Sequence, residues 1–378
     1  MIARLGDICT VVSGSTPKSV VPEYWDGDVK WITPAELDDD SYIISDSVRH
    51  ITTLGVTKTG LKPFPAGTVI LSSRAPIGKT AIAGCEMYCN QGFKNLICSN
   101  NIDSKYLYFF LSSKRDYLNS LGRGATFKEI SKTIVENIEI PLPEMAEQKV
   151  ISTRFENLMK LIQLRKTELE KLDQLVKSRF IELFGDPIAN PFEWPVKRLA
   201  EISLLITNGN TPKGGSENYV DKGIMFLRSQ NVWRNRIDLD DVAYIDEATH
   251  SAMGKSSVHD RDILITKTGR INTENSSLGR AALFRGKDNS ANINGHVYLV
   301  RLDGETIPEY VVSILTSEPY CRYIRRVCVG GIDKRQINLD QVEDFPIITP
   351  PKAMQQQFFA FVEQVDKSKL CDEMGVAA

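Results

Sequence analysis

The sequence predicts an α+β protein made of two tandemly duplicated mixed α/β domains, each followed by a long coiled-coil-like helix, the second of them truncated. Three observations predict this. One ordered set of short motifs occurs twice, roughly 195 to 207 residues apart, a period too long for a solenoid and right for a duplicated domain. Between the copies, residues 144–184 contain no Gly or Pro and carry a seven-residue apolar repeat. Inside each copy, short β-branched runs alternate with Gly/Pro/Ser/Asn loops.

The first copy opens on Arg4-Leu5-Gly6-Asp7-Ile8, echoed by Arg198-Leu199-Ala200-Glu201-Ile202. Thr16-Pro17-Lys18 then matches Thr211-Pro212-Lys213, and Trp31-Ile32 matches Phe226-Leu227. Strand-like runs follow at Val29–Ile32, Thr68–Leu71 (matched by Asp262–Ile265) and Asn95–Ile97. Ile77-Gly78-Lys79 pairs with Leu278-Gly279-Arg280, and Gln91-Gly92 with Asn294-Gly295. Lys105–Leu118 is predicted as one amphipathic helix, repeated around Tyr310–Ser317. Both copies close on the same cadence, Ile130…Val135…Ile138…Pro143 against Ile337…Val342…Phe345…Pro350. The second copy has insertions around Val232–Tyr244 and Arg270–Ser277, loops that leave a scaffold alone and change what it presents.

The segment after the first cadence is predicted as a helical rod. Phe155, Ile162, Leu169, Val176 and Leu183 fall seven apart, with Ile151, Leu158, Arg165, Leu172 and Arg179 four positions before each. At 1.5 Å per residue the rod would run about 60 Å. Gly185-Asp186-Pro187 terminates it. Its second copy starts alike, with Gln355 matching Gln148 and with Phe358, Phe361, Val362 and Val365 on one face. That copy is expected to stop near Leu370, after roughly 18 residues or 27 Å. The predicted organisation is a first domain over 1–143, a spacer helix over 144–186, a second domain over 187–350 and a short helix with tail over 351–378.

Composition bounds the function. Hydrophobic content of 42% and charged content of 25% are ordinary for a globular protein. With no run of about 18 apolar residues and no apolar leader at Met1-Ile2-Ala3-Arg4-Leu5, a cytoplasmic protein without membrane association is expected. The seven cysteines form no CxxC and the four histidines no HxH or HExxH, so neither a disulfide frame nor a metal site is expected. A net charge of −2 argues against non-specific coating of nucleic acid and leaves room for a local basic face.

No residues nominate an enzyme. Ser73–Thr80 comes within one residue of a phosphate-binding loop, but Ser73 stands at the first glycine and the second copy loses the Lys and Thr. A turn that aims a cation, Lys79 or Arg280, at DNA phosphate suits both copies better. No methyltransferase, nuclease or helicase motif is present, and the serines lack a base that would activate them.

The polar positions that recur are candidate DNA contacts. Ser73 and Arg74 stand against Lys267 and Thr268, with Arg270 in the adjoining insertion. Asn90, Gln91 and Lys94 stand against Asn294 and His296. Arg123 and Thr126 lie in a glycine-containing segment matched by Val329–Asp333. Asn, Gln and Arg can make paired hydrogen bonds to base edges, although turns use Asn and Gly too. Arg325, Arg326, Lys334 and Arg335 form a basic run around Gly330-Gly331, fit either for phosphate or simply for solvent.

The doubled "Arg-Leu-x-Asp/Glu-Ile … Thr-Pro-Lys" opening, the Glu147-Gln148 and Met354-Gln355 helix starts and the Leu183–Asp186 helix end together resemble the DNA specificity (S) subunits of type I restriction–modification systems. The resemblance extends from residue 1 to about 370. It implies two target-recognition domains, each reading one half of a bipartite asymmetric site on double-stranded DNA. It also implies paired helices that dock methyltransferase subunits and, through them, the restriction subunit. S-adenosylmethionine, ATP and Mg would then sit on those partners, with no cofactor on this chain. The helix interface would use Phe155, Leu158, Ile162, Leu169, Leu172, Val176 and Leu183 against Phe358, Val362 and Val365. A short second helix departs from the family and would leave much of Ile162–Leu183 unpartnered, open to self-association, a helical fragment or a methyltransferase subunit. A competing expectation is a helical scaffold that sequesters methyltransferase subunits without reading DNA.

Overall fold

The computed structural model describes residues 1–124, 128–212, 214–273 and 275–376, the last seven as backbone alone. The chain falls into two compact units, Met1–Arg165 and Lys166–Ala378. The 40-residue helix Met145–Phe184 contributes its first part to one unit and the rest to the other.

The first unit is built on a five-stranded sheet ordered Cys9–Val12, Asn95–Cys98, Val69–Leu71, Thr80–Ala83 and Ile43–Ile44, antiparallel except at the last pair. Alternation across the pleat divides its side chains between two cores. Val69, Leu71, Ile82 and Leu96 pack with the helix residues Leu107 and Leu111 on one face. Ile70, Ala81 and Ala83 pack with Ile32, Phe64 and Phe93 on the other. With both faces covered, the central strand Val69–Leu71 is continuously apolar, as its sequence requires. A second sheet centres on Trp25–Ile32, antiparallel to His50–Ile51 and parallel to Tyr88–Cys89. A small antiparallel pair, Ile2–Arg4 with Glu139–Pro141, brings the start of the repeat to its end.

The second unit repeats this order. Ser203–Asn208, Val297–Leu302, Ile263–Thr266 and Ala281–Leu283 form the main sheet in the same sequence of neighbours. Ile224–Leu227 is antiparallel to Ala243–Ile245 and parallel to Ala291–Ile293. Val196–Arg198 pairs with Pro346–Ile348 at the closure. Ile263 and Ile265 face the helix Pro308–Thr316, while Leu264 faces Leu227 and Ile293. The α+β class and the duplicated architecture are therefore as expected.

Two helices differ from expectation. Lys105–Leu118 is two helices, Ser104–Ser113 and Arg115–Ser120, broken at Lys114. Ser113 carries the reason: its hydroxyl donates back to the Phe110 carbonyl at 2.8 Å, and such back-bonding competes with helix continuation. The C-terminal helix spans Lys352–Val376, 25 residues, rather than stopping near Leu370. No proline follows Pro351, and Gly375 near the end costs only about 1 kcal/mol of helix propensity.

The longer helix also corrects the expected seam. The C-terminal helix runs antiparallel to the end of the first: the Phe358 ring lies 5.5 Å from Phe180 and 5.7 Å from Phe184, and Lys369 bridges Asp173 at 2.6 Å. Val176, Leu183 and Val362 pack against the core that contains Phe358, Val365 is buried, and Leu169 and Leu172 are half-buried. A cluster of exposed apolar residues lies earlier, at Phe155, Leu158, Leu161, Ile162 and Leu164, while Leu175 and Ile181 are exposed beside the paired stretch.

Candidate nucleic-acid interface

Each repeat builds one polar turn at the junction of its two sheets. The Asn90 N–H donates to the Ile32 carbonyl at 3.2 Å while its side-chain oxygen accepts the Gly92 N–H at 2.8 Å. Asn294 makes the same pair of bonds, to Leu227 at 3.0 Å and from His296 at 3.0 Å. Backbone pairing thus makes Asn90 equivalent to Asn294 and Gly92 equivalent to His296, one residue off the register expected from Gln91-Gly92 and Asn294-Gly295. Beneath each turn passes a glycine that sequence reading passed over. A Cβ on Gly14 would lie 1.8 Å from the Cys89 carbonyl oxygen, and one on Gly209 would lie 2.1 Å from that of Ile293. Only glycine permits this approach. In the first repeat the Thr16 hydroxyl donates to the exposed Gln91 side chain at 2.5 Å.

Next to the first turn, Ser73 and Lys94 are buried and Arg74 is exposed. Glu129 joins them: Arg74 Nε lies 2.9 Å and Lys94 Nζ 3.2 Å from its carboxylate. Burial pushes the Glu129 carboxyl up, but hydrogen bonds and charge from Arg74 and Lys94 outweigh it and hold the group below the usual glutamate range. Arg123 pairs with Glu129 through backbone bonds of 3.0 Å in both directions and keeps its side chain exposed. Thr126 lies outside the described residues.

The second repeat turns these bridges into a three-stranded sheet: Thr268–Arg270, Lys334–Gln336 and Val329–Gly330. Arg74 and Thr268 thereby become equivalent, as do Arg123 and Val329, and Glu129 and Gln336. Lys267 is half-buried with its ammonium 5.7 Å from the centre of the Tyr298 ring. Burial and the charge of Asp340 push the Tyr298 hydroxyl up to about 12. Arg270 is exposed and 3.4 Å from Asp333. The basic run is arranged on two elements. Arg325 and Arg326 lie in the last turn of the helix Glu318–Val327, and Lys334 and Arg335 lie on the strand Lys334–Gln336. Arg326 and Lys334 are exposed, whereas Arg335 is half-buried and donates to the Gly331 carbonyl at 3.2 Å.

Lys79 and Arg280 do not point outward as expected. Lys79 donates to the Leu37 carbonyl. Arg280 is buried, with its donors on the carbonyls of Ser276 and Asn275. Both follow a glycine in the left-handed region, Gly78 at φ 92° and Gly279 at φ 66°. Lys79 is turned inward by a carbonyl from a distant segment, and Arg280 by two carbonyls of the preceding loop together with the ring of distant Trp233. Ser73, Lys94 and Arg280 are thus framework, and the exposed groups near the turns are Arg74, Gln91, Arg123, Arg270, His296, Arg326 and Lys334.

On the long helix, sequence reading missed Phe180 and Phe184. Their rings lie 5.1 Å apart in a tilted contact and 5.8 and 4.9 Å from Tyr310, buried in the core of the second unit. The signal was available: aromatics four apart, immediately before a terminating glycine. Phe155 instead rests on Phe109, ring centres 5.0 Å apart, and stays half exposed. Among the described residues no group of His, Cys, Asp and Glu is placed to hold a metal ion, and no helix is long and apolar enough to cross a membrane.

Comparison with known proteins places this architecture. Residues 1–174 match the sequence model of the type I restriction modification DNA specificity domain. The MjaIX type I restriction enzyme specificity subunit of Methanocaldococcus jannaschii is 30% identical over 96% of this chain and 85% of its own length. The EcoKI specificity subunit of Escherichia coli is 25% identical over 82% of this chain and 72% of its own. The crystal structure of the S subunit from M. genitalium shares the fold, with a TM-score of 0.57 at 14% identity over 100% of this chain and 92% of that one. A type I system structure described for complex assembly and conformational transition matches equally, with a TM-score of 0.57 at 18% identity and the same coverage. Specificity subunits are the non-catalytic members of their systems, in keeping with a chain whose sequence nominates no nucleophile or base. The chain belongs to the DNA specificity subunits of type I restriction–modification systems.

Proposed function

We propose that each unit reads one half of a bipartite, asymmetric site on double-stranded DNA, through the polar turn and the short bridged strands beside it. The observation that carries this is a repeated backbone with unlike side chains. Asn90 and Asn294 hold the same turn, while Arg74 is replaced by Thr268, Arg123 by Val329 and Gly92 by His296. Conserved geometry with changed hydrogen-bonding groups suits two readers of different sequences. The exposed cations Arg326 and Lys334 would supply sequence-independent phosphate contact.

The long helix would dock methyltransferase subunits, and through them the restriction subunit. The exposed apolar residues Leu158, Leu161 and Leu164 support this, since such a strip on a charged helix is suited to a partner. S-adenosylmethionine, ATP and Mg would belong to those partners. The test is to add the purified chain to purified methyltransferase subunits and sequence the methylated DNA. Methylation at one bipartite sequence only when the chain is present supports the reading. Co-purification without any sequence preference would instead leave a sequestering scaffold.

A further inference from the structure

The two insertions that set the second repeat apart from the first meet at one side chain. Val232–Tyr244 begins with a tight hairpin, Val232–Trp233 against Arg236–Ile237. Arg270–Ser277 follows later in the sequence. Between them stands Arg280, only 7% exposed. Its guanidinium carbon is 3.9 Å from the centre of the Trp233 ring. Its Nε donates to the Ser276 carbonyl at 3.0 Å and a terminal nitrogen donates to the Asn275 carbonyl at 2.5 Å.

One planar group thus holds the hairpin by its face and the second insertion by its edge. Arginine alone offers both, because its fork of donors lies in the plane whose faces stack on an aromatic ring. Lysine, a point charge, could satisfy a single carbonyl. That is what Lys79 does at the equivalent place in the first repeat, where its ammonium meets the Leu37 carbonyl and no insertions need joining.

Arg280 is ill placed to meet phosphate. Its donors are committed, and burial together with the nearby charge of Arg234 disfavours its charged form relative to an exposed arginine. What it shapes is accessible, however. The second insertion borders an open cleft of about 450 Å³ whose walls include Thr268, Arg270, Thr273, Asn275 and Lys334. Exposed Arg236 projects from the hairpin, with its guanidinium 5.5 Å from the same Trp233 ring.

We propose that Arg280 is a positioning residue for the second half-site: by clamping Trp233 to the carbonyls of Asn275 and Ser276, it makes one recognition surface of two separate insertions. The proposal rests on the reading of the second unit as a DNA reader. Arg236, Arg270 and Asn275 are then the specificity-determining groups that the clamp presents.

The test uses the full chain and a randomised bipartite DNA pool, from which the preferred site is selected, followed by variants of each half. Arg280→Lys keeps the charge and removes the clamp. It should reduce discrimination at one half-site by roughly tenfold or more, leaving the other half-site and the salt slope of non-specific binding unchanged. Hydrogen exchange should rise in both 231–237 and 275–278. Arg280→Met, which removes the charge, should behave like Arg280→Lys. Full discrimination retained in Arg280→Lys, or a salt slope shallower by about one in Arg280→Met, would overturn the clamp in favour of a phosphate contact. Equal loss at both half-sites would overturn it in favour of general destabilisation. A wild-type chain with no preferred sequence would overturn the DNA reading itself and this proposal with it, a result distinct from the others.

Discussion

Gln148 and Gln355 make the same buried contacts in the two repeats. The side-chain oxygen of Gln148 accepts the Asp103 N–H at 2.9 Å, and its amide nitrogen donates to the Pro143 carbonyl at 2.9 Å. Gln355 accepts from Ile307 at 3.1 Å and donates to Pro350 at 2.8 Å. Each glutamine sits in the first turns of its helix and ties it to two points of the domain before it. The take-off of each helix is therefore set by an amide with almost no freedom to choose other partners.

Gln148→Ala and Gln355→Ala should each destabilise by roughly 1–3 kcal/mol, since a buried N–H and a carbonyl lose their partner together. Hydrogen exchange would localise the effect, with the Asp103 amide accelerated in the first variant and the Ile307 amide in the second. Chemical denaturation supplies the magnitude.

Phe180→Ala or Phe184→Ala should cost about 3–5 kcal/mol, as expected for an aromatic removed from a packed core. Phe155→Ala should cost far less, because that ring is already 46% exposed. Comparable losses at all three positions in urea denaturation would contradict this ordering of the helix.

Stability near Glu129 should depend on acid. The folded-state carboxyl is held below the usual glutamate range, so its contribution is fully present above that range and is lost as pH falls through the folded value. Glu129→Gln should be less stable than wild type at neutral pH, since buried Lys94 loses its anion, and the two should converge on acidification. Unfolding free energies measured from neutral pH down to the acid limb check both statements.

Salt dependence should separate the cations. Arg326→Ala and Lys334→Ala should each make the dependence of DNA affinity on salt shallower by about one unit, the signature of a lost phosphate contact. Lys79→Ala should leave that slope unchanged, because its ammonium is held at the Leu37 carbonyl. Filter-binding titrations across a salt series would show it.

Docking should depend on the exposed stripe of the long helix. Leu158→Glu with Leu161→Glu should lower methyltransferase binding by at least about tenfold per buried leucine, given roughly 1.5–3 kcal/mol for each. The thermal transition of the chain should change little, since both residues are about half exposed or more, at 49% and 60%. Co-purification at matched concentrations is the measurement.

The sequence by itself determined the duplication, several of the strands and the long helix between the copies. Those features rest on local patterns: apolar runs such as Val69–Leu71, the heptads from Phe155, and the glycine that ends the helix. The paired motifs implied two copies of one topology, and the sheets repeat it. Tertiary structure decided where charge and register ended up. Lys79 and Arg280 read as outward cations, yet the groups that turn them inward include a carbonyl 42 residues away for Lys79 and an indole on a separate insertion for Arg280. The one-residue match of Asn90 to Asn294 follows from bonds to Ile32 and Leu227, strands distant in sequence. The pairing of Phe358 with Phe180 and Phe184 likewise joins the two ends of the second unit. Residue type states what a side chain can bond; which groups converge on it is set only when remote segments pack together.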